Sequence, residues 1–452
     1  MQEKTAFLGT QSIKKLLFRM SAPAMVGMLV MALYNVVDTI FIGQAVGTLG
    51  IAGVTISLPL QISFFALSLT VGIGASSEIS RSLGAGKKDS AEQVLGVSAW
   101  LVFVGSALIV LFGLLFLRPI LLASGSDAEV LPFAMDYMRV ILYGAPFLIA
   151  TVVGNNLARA EGNAPLAMKV MILGALVNGC LDYVFLFPLH MGIAGAAWAT
   201  SISNVVSFLW LAPYFLNKKS AVPLLWKYVR WHAESVRKIM VVGAASFMRE
   251  VSFVLETLVL NHILIALGGS IAVAAMGILM RLSMMVLMPI FGVVQGLQPI
   301  AGYNFGAKNF CRVRSVFRTA VQWGTVIAFS SFVALYFFPE FWVQIFVSHE
   351  ETELISVTVQ GLKFMAIGFG VIGFQSVTGG LYQALGFGKQ SLVLSLLRQV
   401  LFLIPAMILL AHFFGITGVW WSFPIAEIAA AIVTGGMLWK DRTRLGLRKA
   451  QC

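Results

Sequence analysis

Two runs in this chain, Leu95 to Leu117 and Gly192 to Leu216, contain no Asp, Glu, Lys, Arg or His. A helix rising about 1.5 Å per residue crosses the roughly 30 Å hydrocarbon core of a bilayer in about 20 residues, and both runs are long enough. Similar stretches recur along the whole sequence. Hydrophobic residues make up 59% of it and charged residues only 11%, against about half and about a quarter in soluble domains. So little polar surface cannot cover a water-soluble fold, whereas lipid accepts apolar surface directly. The expected fold class is an all-α membrane protein.

Spans are expected near 15–43, 51–83, 93–117, 127–160, 163–187, 192–216, 236–266, 271–303, 313–338, 350–384, 388–412 and 416–439. The first apolar stretch, from Arg19 past Ile42, is too long for a signal-peptide core and reads as the first span. Loops between the spans alternate in charge. One set carries Lys14, Lys15, Arg19, Lys87, Lys88, Arg159, Lys169, Lys218, Lys219, Arg237, Lys238, Lys308, Arg312, Lys389, Lys440 and Lys449; the other is nearly bare of cations and holds Glu350, Glu351 and Glu353. The positive-inside rule places the basic set and both termini in the cytoplasm, with the chain in the cytoplasmic (inner) membrane. Seven basic segments alternating with six bare ones require an even number of crossings, and twelve fits. The net charge of +12 is accounted for by this topology rather than by nucleic acid. Cys180, Cys311 and Cys452 lie too far apart in sequence to suggest a disulfide framework or a zinc site.

The sequence repeats itself. GIGASSEISRSLGAGK from Gly72 resembles GVVQGLQPIAGYNFGAK from Gly292, NNLARAEGNA from Asn155 resembles GGLYQALGFG from Gly379, and GIAGAAWAT from Gly192 resembles GITGVWWSF from Gly415. A constant offset near 220 residues predicts a duplicated six-helix unit. Two copies of even span number share one orientation, so a pseudo-two-fold axis along the membrane normal should relate them, with a cleft for substrate between. The expected organisation is an N-lobe over 1–216, a linker over 217–238, a C-lobe over 239–440 and a tail over 441–452.

Ionisable groups inside a bilayer are functional candidates by default. In the first half, Asp38 of YNVVDTIFIG and Asp182 of NGCLDYVFLF lie well within spans, each roughly 8–9 Å below the outer surface at the helical rise. Two carboxylates at one depth can share a proton or bind Na+ through oxygen ligands. Asn178, one turn from Asp182, and Thr200 in the next span supply neutral oxygens. Pro23 shares a helix with Asp38 and removes a backbone bond there, so Pro23, with Tyr34 of the same motif, is a gating candidate. The stripe of Met276, Met280, Met284 and Met288 reads first as ordinary packing, and otherwise as an adaptable cavity wall.

These features resemble the multidrug and toxic compound extrusion (MATE) family, through VDTIFIG in the first span, SLGAGKKD after the second and QGLQPIAGYNFGAK in the eighth. The likeness covers nearly the whole chain and leans toward the DinF-like and MepA-like bacterial branch. It implies a monomeric secondary exporter, not an enzyme, that antiports H+ or Na+ against cationic, amphipathic drugs and dyes by alternating access, without a cofactor. It also implies an N-lobe cation site on Asp38, Asn178, Asp182 and Thr200, with Asn155 in the same network. A C-lobe site is known in some members. Here Arg249, Glu250 and Glu256 in the seventh span and Arg398 in the eleventh are the secondary candidates, with ion pairs such as Arg398 to Glu427 as the plainer explanation. Spans of this half also contain Arg281 and Lys363, giving four cations against three carboxylates. That balance keeps a rival open, a flippase for an anionic lipid-linked precursor or an exporter of an endogenous metabolite. GAGKKDS lacks the phosphate-loop spacing, so the energy source should be an ion gradient.

Overall fold

Glycines that bend the backbone divide the long apolar sequence into spans. The computed structural model describes residues 3–217, 219–347 and 350–448; Lys218, Lys449 and Cys452 lie outside the described residues. After the short α1 (Glu3–Thr10), the first half runs α2 (Ile13–Ala45), α3 (Thr48–Gly84), α4 (Lys88–Leu115), short α5 (Leu117–Ala123), α6 (Leu131–Ala160), α7 (Ala164–Leu186) and α8 (Gly192–Leu216). The second half runs α9 (Ala233–Gly306), α10 (Phe310–Phe337), short α11 (Pro339–Gln344), α12 (Thr352–Ala384), α13 (Gly388–Leu396), a π-helical turn over Leu397–Leu403 and α14 (Ile404–Asp441).

Ten of the described helices are long and apolar enough to span a membrane. Two of these ten are far too long for a single crossing. α9 has 74 residues and the continuous run Gly388–Asp441 has 54, about 110 Å and 80 Å at the helical rise. Each is broken at one glycine with left-handed φ, Gly269 (φ 59°, ψ −150°) and Gly415 (φ 59°, ψ −142°), a conformation that costs a residue with a Cβ. Twelve crossings result. Two expected starts move by four residues or more: the third crossing starts at Lys88 and the fourth at Leu131, and α5 occupies part of the ground between them.

The duplication is written into the backbone. Positive φ falls at Gly47 and Gly269, at Gly86 and Lys308, at Gly162 and Gly386, and at Gly192 and Gly415. The partners are 222, 222, 224 and 223 residues apart. The same offset describes how the halves touch. A Cβ at Gly84 would overlap the carbonyl of Tyr303, and one at Gly306 would overlap the carbonyl of Arg81. Gly306 is the equivalent of Gly84 and Tyr303 that of Arg81, so this reciprocal crossing lies on the pseudo-two-fold axis.

One hydrophobic core is built from residues between Phe64 and Ile239 and another from residues between Leu260 and Ala426. A third joins Leu8, Leu16, Leu17 and Met20 to Val293, Ile300, Val313 and Leu381 at the basic end. Polar ties between the halves lie toward the same end. Ser77 Oγ donates to the carbonyls of Gln383 (2.5 Å) and Ala384 (3.1 Å). Arg312 donates to the Gln11 carbonyl (2.6 Å), and Glu78, paired with Arg81, reaches Lys238 at 3.8 Å. The tie deepest in the bundle runs from Gln295 Nε2 to Met28 Sδ. Among the described residues no hydrogen bond or ion pair joins the halves nearer the acidic end.

Candidate functional site

Asp38 projects from α2 and Asp182 from α7, and their carboxyl groups face one another at hydrogen-bonding range. Asp182 is fully buried and Asn178, one turn earlier on α7, nearly so. Asn178 Nδ2 donates to Thr200 Oγ1 of α8 at 3.3 Å. Tyr34, one turn before Asp38, brings its hydroxyl beside Thr200. Thus three helices and four sequence-identified residues converge with Tyr34 on one point.

Hydrogen bonding there is incomplete. Asp38 Oδ1, both carboxylate oxygens of Asp182 and Asn178 Oδ1 are buried and accept no hydrogen bond from the protein. Facing acceptors with no donor are costly in a dry interior. A proton on one acid lets it donate to the other. Alternatively, one small cation drawn to these oxygens satisfies several at once. Oxygen-only ligation suits hard cations.

A cavity of 150 Å³ adjoins the acids, with Tyr34 and Thr200 in its wall; Asn35, Gln61, Thr151, Asn155 and Asn204 also line it. Asn155 therefore shares the cavity rather than touching the acids, and its Oδ1 is another buried acceptor without a donor. The volume is below the roughly 300–1,000 Å³ of pockets that enclose drug-sized ligands; the cavity suits ions, water or one end of a larger molecule. Pro23 lies inside α2, which continues as helix through it. Its neighbours Ser21 and Met25 pack against Gly296 and Gly292 of α9, which puts Pro23 on the seam between the halves.

Sequence reasoning missed Tyr137. This side chain of α6 is buried and lies within electrostatic range of Asp38, Tyr34 and Asp182. A tyrosine among so many aromatic residues carries no signal of its own.

In the second half Arg249 pairs with its neighbour Glu250 at 3.3 Å, and Arg398 Nη1 pairs with Glu427 at 3.3 Å. Glu256 is buried and accepts from Gln399 Nε2 at 2.8 Å. Arg281 and Lys363, expected within the bundle, are exposed instead. Removing them reverses the expected cationic surplus: two arginines remain against three carboxylates. Periodicity alone does not tell a lipid-facing or water-facing position on a spanning helix from an inward one.

The family profile described as MatE matches residues 23–184 and 245–428 of this chain. The chain is 28% identical to the multidrug export protein MepA of Staphylococcus saprophyticus, over 99% of its own length and 98% of that protein. A structure of a multidrug resistance MATE family transporter of the MOP superfamily, in an outward-facing conformation, superimposes with a TM-score of 0.90 at 28% identity, covering 98% of both chains. A MOP superfamily transporter from Pyrococcus furiosus, described as having a binding pocket of reverse polarity that suggests a different function, superimposes with a TM-score of 0.91 at the same identity and coverage. With the profile matched in both halves and the fold shared from end to end, this multi-pass membrane protein is a transporter belonging to the MATE family.

Proposed function

We propose that this chain is a secondary active multidrug exporter that antiports H+ or Na+ against organic, cationic and amphipathic compounds by alternating access. The observation that carries it is the pairing of buried Asp182 with half-buried Asp38, whose buried oxygens lack protein donors, beside a polar cavity in the N-terminal half. Neutral Asn178 and Thr200 complete the set; Asn155 serves the cavity, and Tyr34 connects the two. Loading a cation at the acids and releasing substrate are then alternative states of one half. Pro23, on the seam, is the point where α2 bends between them. The staphylococcal relative, a multidrug export protein, supports the substrate class.

In this reading the protein works as a monomer in the bacterial plasma membrane, in contact with its lipids and with both termini in the cytoplasm. The lobes are 1–216 and 239–440, joined by the linker 217–238 and followed by the tail 441–452. The basic end is then the cytoplasmic gate, shut in this structure. Export of an anionic metabolite or lipid-linked precursor draws on the arginines of the C-terminal half. Of these, Arg249 and Arg398 are half-buried and already paired with glutamates, which favours the cationic substrate.

Ethidium efflux from proteoliposomes tests this reading under an imposed pH gradient and, separately, an imposed Na+ gradient. Gradient-driven export by the native chain, lost in Asp38→Asn and in Asp182→Asn, is expected. Full pumping by the doubly neutralised protein would overturn it.

A further inference from the structure

At the acidic end of the second half, α11 and the start of α12 enclose a cavity of 540 Å³, within the roughly 300–1,000 Å³ of ligand pockets. Its polar wall is Glu340 and Gln344 of α11 with Thr352, Ser356, Gln360 and Lys363 of α12; the remainder is aliphatic. The four α12 residues follow one stripe at helical spacing, and all are exposed. Lys363 lies three turns into α12 from its start at Thr352, about 16 Å at the helical rise. An ammonium at such depth in a spanning helix requires an anion or water. A helical side chain leans toward the N-terminus of its own helix, here the acidic end, so Lys363 extends along Gln360 toward the mouth.

Glu340 and Lys363 share this cavity, yet among the described residues neither makes an ion pair. The duplication did not supply their opposite charges. At the backbone offsets of 222 and 224 residues, their counterparts are Arg118, like Glu340 the second residue of its short helix, and Arg139. The first half thus has two cations where the second has a carboxylate and an ammonium. Opposite charges held apart, with hydroxyls and amides between them, complement a zwitterion. No aromatic ring lines the wall among the described residues, whereas a quaternary ammonium is held by aromatic faces. A primary ammonium instead donates hydrogen bonds, which Glu340 and the Gln344 carbonyl can accept. Phe341 and Ile345 of α11, next in sequence to Glu340 and Gln344, are exposed, as are Phe337 and Phe338 before them. The mouth therefore borders an apolar band of the kind that meets lipid.

We propose that this cavity binds the phosphoethanolamine headgroup of a phospholipid from the leaflet at the acidic end, its phosphate on Lys363, its ammonium on Glu340 and its acyl chains over Phe341 and Ile345. The lipid supplies the anion that Lys363 lacks within the membrane. A headgroup with a phosphate and no ammonium leaves Glu340 facing an added negative charge, and choline offers Glu340 no N–H. The site takes its ligand whether or not the chain exports drugs, so the two readings stand or fall separately.

Native mass spectrometry of the full chain in detergent tests this with phosphatidylethanolamine, phosphatidylcholine and phosphatidylglycerol of identical acyl chains. The unmutated protein should retain phosphatidylethanolamine about tenfold better than the other two, the scale of one charge-assisted hydrogen bond. Retention should fall stepwise as the amine is methylated once, twice and three times. Lys363→Met should lower phosphatidylethanolamine retention about tenfold, and Glu340→Gln should remove the discrimination against phosphatidylglycerol. Equal retention of the three lipids, or a preference unchanged in both variants, would overturn the proposal. Displacement of the lipid by an equal concentration of soluble glycerophosphoethanolamine would overturn the lipid as ligand and leave a free phosphodiester in its place. The methylation series on the unmutated protein decides the matter even if a variant does not fold.

Discussion

Asp182 lies fully buried against Asp38, two acids from different helices brought face to face with no protein donor between them. An isolated buried carboxylate is expensive, and two are worse, unless a proton or cation is shared. Neutralising one acid therefore removes the exchangeable charge while leaving the packing nearly isosteric. Asp38→Asn and Asp182→Asn should each keep the folded protein and drop gradient-driven dye efflux to the passive level. Efflux assays alongside thermal melting of the purified variants check both halves of that statement.

The seal at the basic end depends on backbone approaching backbone. Gly84→Ala places a methyl group where the Tyr303 carbonyl lies, so the halves must separate there. The expected outcome is a shift away from the conformation closed at the basic end, read as increased labelling of cysteines introduced along the basic side of the seam between the halves. Ser77→Ala should act in the same direction more gently. Losing its hydrogen bonds to Gln383 and Ala384 is worth about 1 kcal/mol, roughly fivefold in the population ratio.

Glu161, just past α6, captures the start of the segment joining the halves. Its carboxylate accepts from Tyr214 Oη (2.7 Å), Ser220 Oγ (2.5 Å) and the backbone N–H groups of Ala221 (2.9 Å) and Val222 (3.3 Å). Glu161→Ala leaves several buried donors unmatched and should cost about 1–3 kcal/mol. A lowered melting temperature and faster proteolysis near residue 220 are the readouts. Glu161→Gln, which keeps one acceptor oxygen, should fall between the two.

Tyr137 is the residue next to the acids that the sequence did not advertise. Tyr137→Phe preserves its packing in the first core and deletes only the hydroxyl. Export should fall a few-fold, with little change in melting temperature, because only a dipole near the acids is removed. A Tyr34→Phe variant should be more severe, because that hydroxyl touches both Thr200 and the cavity.

Much of this protein is legible one residue at a time. Charge-free runs fix the spans, because only a helix satisfies its backbone alone in lipid. The shared offset of the segments from Gly72 and Gly292, from Asn155 and Gly379, and from Gly192 and Gly415 carries the duplication, and it reappears in the φ angles of Gly47 and Gly269. Asp38 and Asp182 stood out because a charge within an apolar run is conspicuous. Which face each residue occupies was decided only by packing between helices. Arg281 and Arg398 look alike in sequence, yet one is exposed and the other pairs with Glu427. The convergence of Tyr137 on the acids, the cavity left by Gly174 and Ala175, and the π-helical turn presenting Gln399 are likewise tertiary. Periodicity along one helix says how a side chain is turned about its own axis; it does not say which neighbouring helix will meet it there.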